Sequence, residues 1–99
     1  MSASKREPIL ELAEAFTLIR DAEEARAFLT DLCTPSELNS LAERWEVAKL
    51  LAAGGHTYRQ IHDLTGVSTT TIVRVARFLN EDRAGGYRTL FERVQKEDV

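Results

Sequence analysis

The stretch Thr57-Tyr58-Arg59-Gln60-Ile61-His62-Asp63-Leu64-Thr65-Gly66-Val67-Ser68-Thr69-Thr70-Thr71-Ile72-Val73-Arg74-Val75-Ala76-Arg77-Phe78-Leu79 decides how this chain is read. Thr57 followed three residues later by Gln60 is a capping-box signature, which opens a short helix whose inward residues are expected to be Ile61 and Leu64. Thr65-Gly66-Val67 then forms a tight turn, and Ser68 caps a further helix that carries Ile72, Val75, Ala76 and Leu79 inward until about Asn80. A short helix, a three- or four-residue turn with glycine and a second helix presenting polar groups is the layout of a helix-turn-helix over about residues 57–79.

The outer face of that second helix carries Thr69, Thr70, Val73 and Arg77. Three successive threonines are poor helix-interior residues, so local stability does not account for them. Hydroxyls at a helix N-terminus approach bases and phosphates closely, threonine methyls can touch the methyl of thymine, and the helix amides attract phosphate. Thr69, Thr70 and Val73 are therefore expected to read base edges, with Arg59, Ser68, Thr71 and Arg77 positioning the helix on phosphates. The bland alternative is an ordinary pair of packed helices, with the threonines a long cap and the arginines a solvated face.

Working outward, the rest of the chain also shows the helical period and no strand period, so the fold class is all-α. Thr34-Pro35-Ser36-Glu37 is a strong start signal for a long helix: Thr34 caps, Pro35 suits the first helical position and Glu37 reaches back to the cap amide. Leu38, Leu41, Trp45, Ala48 and Ala52 run along it, with Ala42, Val47 and Leu51 widening the buried face, until Gly54-Gly55 stops it. Upstream, a first helix is expected from Pro8 to Arg20 with the stripe Ile9, Leu12, Phe16 and Ile19. A second, capped by Asp21 and Glu24, carries Ala25, Phe28, Leu29 and Leu32 through to Cys33. After Gly85-Gly86 a last helix from Tyr87 to about Lys96 bears Tyr87, Leu90, Phe91 and Val94.

Ninety-nine residues, 43% hydrophobic and 29% charged, fit a single folded domain spanning 1–99 and exclude fibrous or disordered classes. The net charge of −3 is unevenly spread: residues 1–55 carry −4, residues 56–79 carry +2 and residues 80–99 carry −1. The acid-poor island coincides with the helix-turn-helix, which favours a phosphate-bearing partner there. Acidic Glu11, Glu14, Glu23 and Glu24 read as a solvated face that also repels non-specific DNA.

A lone Cys33 forms no internal disulfide and no paired metal motif, which suits a reducing, cytoplasmic compartment. It reads as a buried small hydrophobe, while His56 falls in a loop and His62 on the exposed side of the short helix, within reach of a phosphate. No nucleophile–base pair, phosphate loop or zinc spacing is present, so neither an enzyme nor a metal or other cofactor is expected. The N-terminal ten residues reach charge before any secretory apolar stretch, and the apolar run Val47–Ala53 is far below the ~20 residues of a membrane span.

Three pieces together resemble the Trp repressor family, and more closely its tryptophan-repressor-like branch of uncharacterised bacterial proteins. They are Leu32, Thr34, Pro35 and Glu37 opening the long helix, Arg44 within it, and Leu64-Thr65-Gly66-Val67-Ser68-Thr69-Thr70-Thr71-Ile72-Val73-Arg74. The resemblance covers about Leu32 to Leu79 and implies an intertwined helical homodimer that presents two recognition helices to successive major grooves of double-stranded DNA. It further implies a transcriptional regulator, most simply a repressor of a pseudo-palindromic operator. Apolar stripes in excess of what one short helix-turn-helix can cover agree with a shared core.

In that family tryptophan binds between the long helix and the recognition helix. Thr34, Arg44, Thr71 and Arg74 coincide with family residues that line this pocket. Val75 stands where the family has a small glycine and Phe78 where it has a serine, and both add bulk. Either these side chains fill the pocket, making a regulator that needs no tryptophan, or the pocket is reshaped for another small-molecule effector. The reading from a different class is a helical module that offers the same exposed helix to a protein partner.

Overall fold

A computed structural model describes residues 7–81 and 84–97 of the chain, and the opening Met1–Arg6 segment lies outside them. It shows six helices and, among the described residues, no strand. They are α1 Pro8–Phe16, α2 Ala22–Leu32, α3 Pro35–Ala53, α4 Tyr58–Thr65, α5 Thr69–Glu81 and α6 Gly86–Glu97. The chain divides into two compact units, residues 1–38 and 39–99, with the boundary falling inside α3.

In the first unit, α1 begins at Pro8 as expected but stops at Phe16, four residues before Arg20. Thr17 ends it: its hydroxyl donates to the carbonyl of Glu14 at 2.6 Å, and the amides of Thr17, Leu18 and Ile19 bond three residues back rather than four. Threonine competes with the helix ladder in this way, and the tightened turn does not propagate. Asp21 caps α2 by accepting from the Glu24 amide at 2.8 Å. Glu24, however, accepts from Arg20 rather than from the Asp21 amide, so the box is displaced by one residue.

Neither α1 nor α2 buries a residue, and Ile9 and Leu18 are 73% and 77% exposed. Phe16 and Phe28 meet edge to face at 5.3 Å between centroids. Cys33 closes α2 half-buried rather than buried, its amide bonded to Leu29. Thr34 and Glu37 form the expected reciprocal cap, with bonds of 3.1 and 2.9 Å.

The second unit holds the buried core: Val47 and Ala48 from α3, Ile61 from α4, Val67 from the turn, and Ile72 and Val75 from α5. Leu50, Leu51, Tyr87 and Phe91 pack around it. Trp45 stacks on Phe91 at 4.8 Å and on Tyr87 at 6.4 Å, joining α3 to α6 through parallel rings. Leu41 and Ala52 are exposed, so α3 buries a narrower face in this chain than its apolar pattern suggests. Gly54 and Gly55, at φ 78° and 82°, stop α3 with left-handed backbone.

Candidate nucleic-acid interface

Local chemistry builds α4 and α5 from both ends. Thr57 and Gln60 exchange cap bonds of 3.0 and 2.8 Å, as the sequence predicts. Gly66 leaves α4 at φ 77° and ψ 0°, a left-handed conformation that costs glycine nothing. Its amide returns to the carbonyl of His62, closing the helix. Ile61 and Val67, on either side of that turn, are buried against Ile72 and Val75, which fixes α5 across α4.

Leu64 does not join them and is 64% exposed. The inward position one turn after Ile61 belongs to Thr65, whose hydroxyl donates to the Ile61 carbonyl at 2.7 Å and accepts from the Val67 amide at 3.1 Å. His62 has a structural task as well: its Nδ1 lies 2.7 Å from the Val67 carbonyl oxygen. A carbonyl only accepts, so Nδ1 carries the proton and the ring ties α4 to the turn, while the residue stays exposed as the sequence predicts.

Ser68 caps α5. Its oxygen accepts from the Thr71 amide at 3.2 Å and its hydroxyl donates to Thr71 Oγ1 at 3.1 Å. Thr69, Thr70 and Thr71 are thus the first three residues of α5, where the helix penalty of a β-branched side chain is smallest, and the interior of the helix is left to Ile72, Val75 and Ala76. Thr71 is half-buried over the cap, whereas Thr69, Thr70, Val73 and Arg77 are exposed.

Thr70, Val73 and Arg77 border one open cleft of about 420 Å³ together with Arg74 and Phe78. Arg77 Nε stands 3.8 Å from Glu81 Oε2, an exposed pair one helical turn apart. Such a pair is worth about 0.3–0.5 kcal/mol and yields readily to a phosphate. Arg59 is exposed on the first turn of α4.

A second, smaller cleft of about 160 Å³ is lined by Arg44, Arg74, Val75, Phe78 and Tyr87. It brings together two of the four residues expected at a ligand pocket, Arg44 and Arg74. Thr71 is not among its walls; its hydroxyl oxygen accepts from Ser68. Thr34 belongs to the first unit, bonded to Glu37. Phe78 lies against Arg74, whose guanidinium carbon is 5.0 Å from the ring centroid. Tyr87 is the wall that sequence reasoning missed: its place on an apolar stripe was legible, but its meeting with Arg44 and Arg74 depends on how α6 packs on α3.

Among the described residues no group of three or more His, Cys, Asp or Glu side chains is arranged to hold a metal ion. Among the same residues, no helix is long and apolar enough to cross a membrane.

The sequence profile of the Trp repressor protein family matches residues 7–95. The chain is 41% identical over 89 residues to the uncharacterized protein YerC of Bacillus subtilis (strain 168), covering 90% of this chain and 84% of that one. It superposes on the crystal structure of a TrpR like protein from Eubacterium eligens ATCC 27750 with a TM-score of 0.82 at 40% identity, over 96% of both chains. A Staphylococcus aureus crystal structure matches with a TM-score of 0.79 at 35% identity, over 96% of this chain and 94% of that one.

Proposed function

Because the chain belongs to the Trp repressor family, a family of DNA-binding regulators rather than enzymes, we propose that it is a sequence-specific transcriptional repressor. It binds a pseudo-palindromic operator as a homodimer in the bacterial cytoplasm, residues 1–99 serving as one domain of that dimer. Thr69, Thr70 and Val73 read base edges, and Arg59, Ser68, Thr71 and Arg77 hold the helix on phosphates. The observation that carries this reading is the outer face of α5: a buried underside of Ile72, Val75 and Ala76 leaves Thr70, Val73 and Arg77 together on an open cleft.

The dimer is supported by what a single chain leaves uncovered. Ile9, Leu10, Leu12 and Phe16 on α1 and Leu32 on α2 are exposed, and α1 and α2 bury nothing. Helices with such stripes need a second surface to be stable in water. Tryptophan is not required in this reading, since Val75 is in the core and Phe78 stands beside Arg74 in the small cleft.

A salt titration tests the DNA reading. Affinity for a duplex should fall steeply between 50 and 200 mM salt, because each phosphate neutralised releases counterions with a slope of about −0.9 per contact. Arg59→Ala and Arg77→Ala should each weaken binding and flatten the slope by about one. Binding to a protein partner through an apolar face would scarcely respond to salt, and that outcome would move the function to protein interaction.

A further inference from the structure

His62 stands at the junction of α4 and α5. It lies three residues after Arg59, so the two share one side of α4, and both are exposed. Its Nδ1 is 2.7 Å from the carbonyl oxygen of Val67, the residue before the Ser68 cap of α5. The ring therefore bridges the side of α4 that carries Arg59 and the start of α5 at Ser68, two groups assigned above to phosphates.

The bond to Val67 decides what the other ring nitrogen can do. With hydrogen on Nδ1, a neutral imidazole leaves Nε2 with a lone pair and nothing to donate. The oxygens of a DNA phosphate only accept, so the neutral ring makes no hydrogen bond to them. When the ring takes up a proton, Nε2 becomes a donor while Nδ1 keeps its bond to Val67, and the contact with a phosphate is charge-assisted. Imidazole is the side chain that changes charge between about pH 5 and 8.

The surrounding charges are few. On α4, Arg59 and Asp63 supply one of each sign close to it in sequence, with Tyr58 one turn before it. On α5, the helix packed directly on α4, no charged residue precedes Arg74, which is followed by Arg77 and Glu81. On α3, Glu46 and Lys49 flank Val47 and Ala48, which share the core with Ile61.

We propose that His62 is a proton-dependent phosphate contact: its Nε2 donates to the DNA backbone only in the imidazolium form, so the protein takes up a proton at this ring when it binds DNA. The tautomer stands on the geometry alone, while the coupling to DNA rests on the function proposed above. Because DNA selects the protonated ring, affinity is highest at low pH and falls as pH rises through the imidazole range.

The test uses the purified full chain and sheared mixed-sequence duplex DNA, which suffices because phosphate contacts do not depend on sequence. Without DNA at about pH 8, heteronuclear NMR of the ring nitrogens should show hydrogen on Nδ1 of His62 and none on Nε2. With duplex bound at about pH 7, both should carry hydrogen. Duplex affinity should fall at least about ten-fold from pH 6 to pH 8, the size of one charge-assisted hydrogen bond, and its salt slope should be steeper at pH 6 by about 0.9 per contact. His62→Gln should flatten this dependence at the weaker affinity, whereas His62→Lys, charged throughout, should bind at pH 8 about as tightly as the wild type does at pH 6. His56→Gln, at the other histidine of the chain, should keep the wild-type profile.

Hydrogen on Nε2 of the free ring at pH 8, a wild-type affinity unchanged between pH 6 and pH 8, or a His62→Gln variant with native circular dichroism that keeps the wild-type pH profile would each overturn the proposal and leave DNA binding standing. No duplex bound at either pH, with the Nδ1 tautomer present, would instead remove the DNA reading and the proton coupling with it.

Discussion

Arg74 and Phe78, one turn apart on α5, face each other with the guanidinium carbon 5.0 Å from the ring centroid. Both border the cleft that also contains Thr70, Val73 and Arg77. A cation over an aromatic face at a partly exposed site contributes about 0.5–1 kcal/mol. Arg74→Ala should lower the unfolding free energy by about that amount in urea, and Arg74→Lys by less, since a lysine keeps the charge but not the planar stack. An unchanged denaturation midpoint in both variants would mean that the contact contributes nothing to stability.

Gly66 carries the turn between α4 and α5 at φ 77°, and a Cβ added there would meet nothing within 4 Å. The penalty for Gly66→Ala is therefore conformational alone, about 1–2 kcal/mol. Gly66→Asn should cost less, because asparagine enters left-handed backbone more easily. Thermal unfolding of the two variants checks the order; equal losses would point to a steric rather than a backbone cause.

Ile61 and Ile72 are wholly buried and lie on opposite sides of that turn. Truncating either to alanine removes buried surface and leaves a cavity, at about 2–5 kcal/mol. Because their packing fixes α5 across α4, either variant should also lose DNA affinity at temperatures where it is still mostly folded. A variant that is destabilised but binds normally would separate core packing from the presentation of α5.

Much of this was legible in the sequence, for physical reasons. The caps at Thr34, Thr57 and Ser68 depend only on residues three apart, so they could be read locally, and each forms as expected. Ile72, Val75 and Ala76 were legible because one face of a helix repeats every three or four residues. Leu64 was misplaced for the complementary reason. α4 is only eight residues long and offers a single inward row, and the Thr65 hydroxyl can enter that row by bonding back to Ile61. His62 shows the same limit, since its bond to Val67 spans a turn whose geometry a helical wheel does not contain. At the small cleft, Arg44 and Arg74 are both among the walls, but Tyr87 arrives from α6, and no spacing in the chain announces its place there.

Ile9 on α1 is 73% exposed in a single chain. Ile9→Glu should therefore leave isolated-chain packing almost unchanged and act on association instead, by placing a charge where an apolar partner surface is needed. Sedimentation equilibrium should show the wild type at twice the mass of one chain and Ile9→Glu shifted toward one. A wild type that remains at the mass of one chain at micromolar concentration would rule out the dimer.

Val73 is exposed beside Thr70 on the outer side of α5, the face proposed for DNA. Val73→Ala and Thr70→Ala should reduce affinity for the preferred sequence by about 1–3 kcal/mol while leaving non-specific binding and its salt slope unchanged, as expected of groups that touch bases rather than phosphates. Competition with random duplex measures the difference. A uniform loss on both kinds of DNA would place these side chains against the backbone.

Whether α5 reads a symmetric DNA site without an added ligand is decided by sequencing the fragments of bacterial DNA that the purified protein retains at near-physiological salt. The selection is run without additive and again with tryptophan. Enrichment of a two-fold symmetric sequence is expected in both, with half-sites about one helical turn apart, roughly 10 base pairs centre to centre. Enrichment only with tryptophan would contradict the account of Phe78, and no enrichment in either condition would contradict the assignment of α5 to DNA.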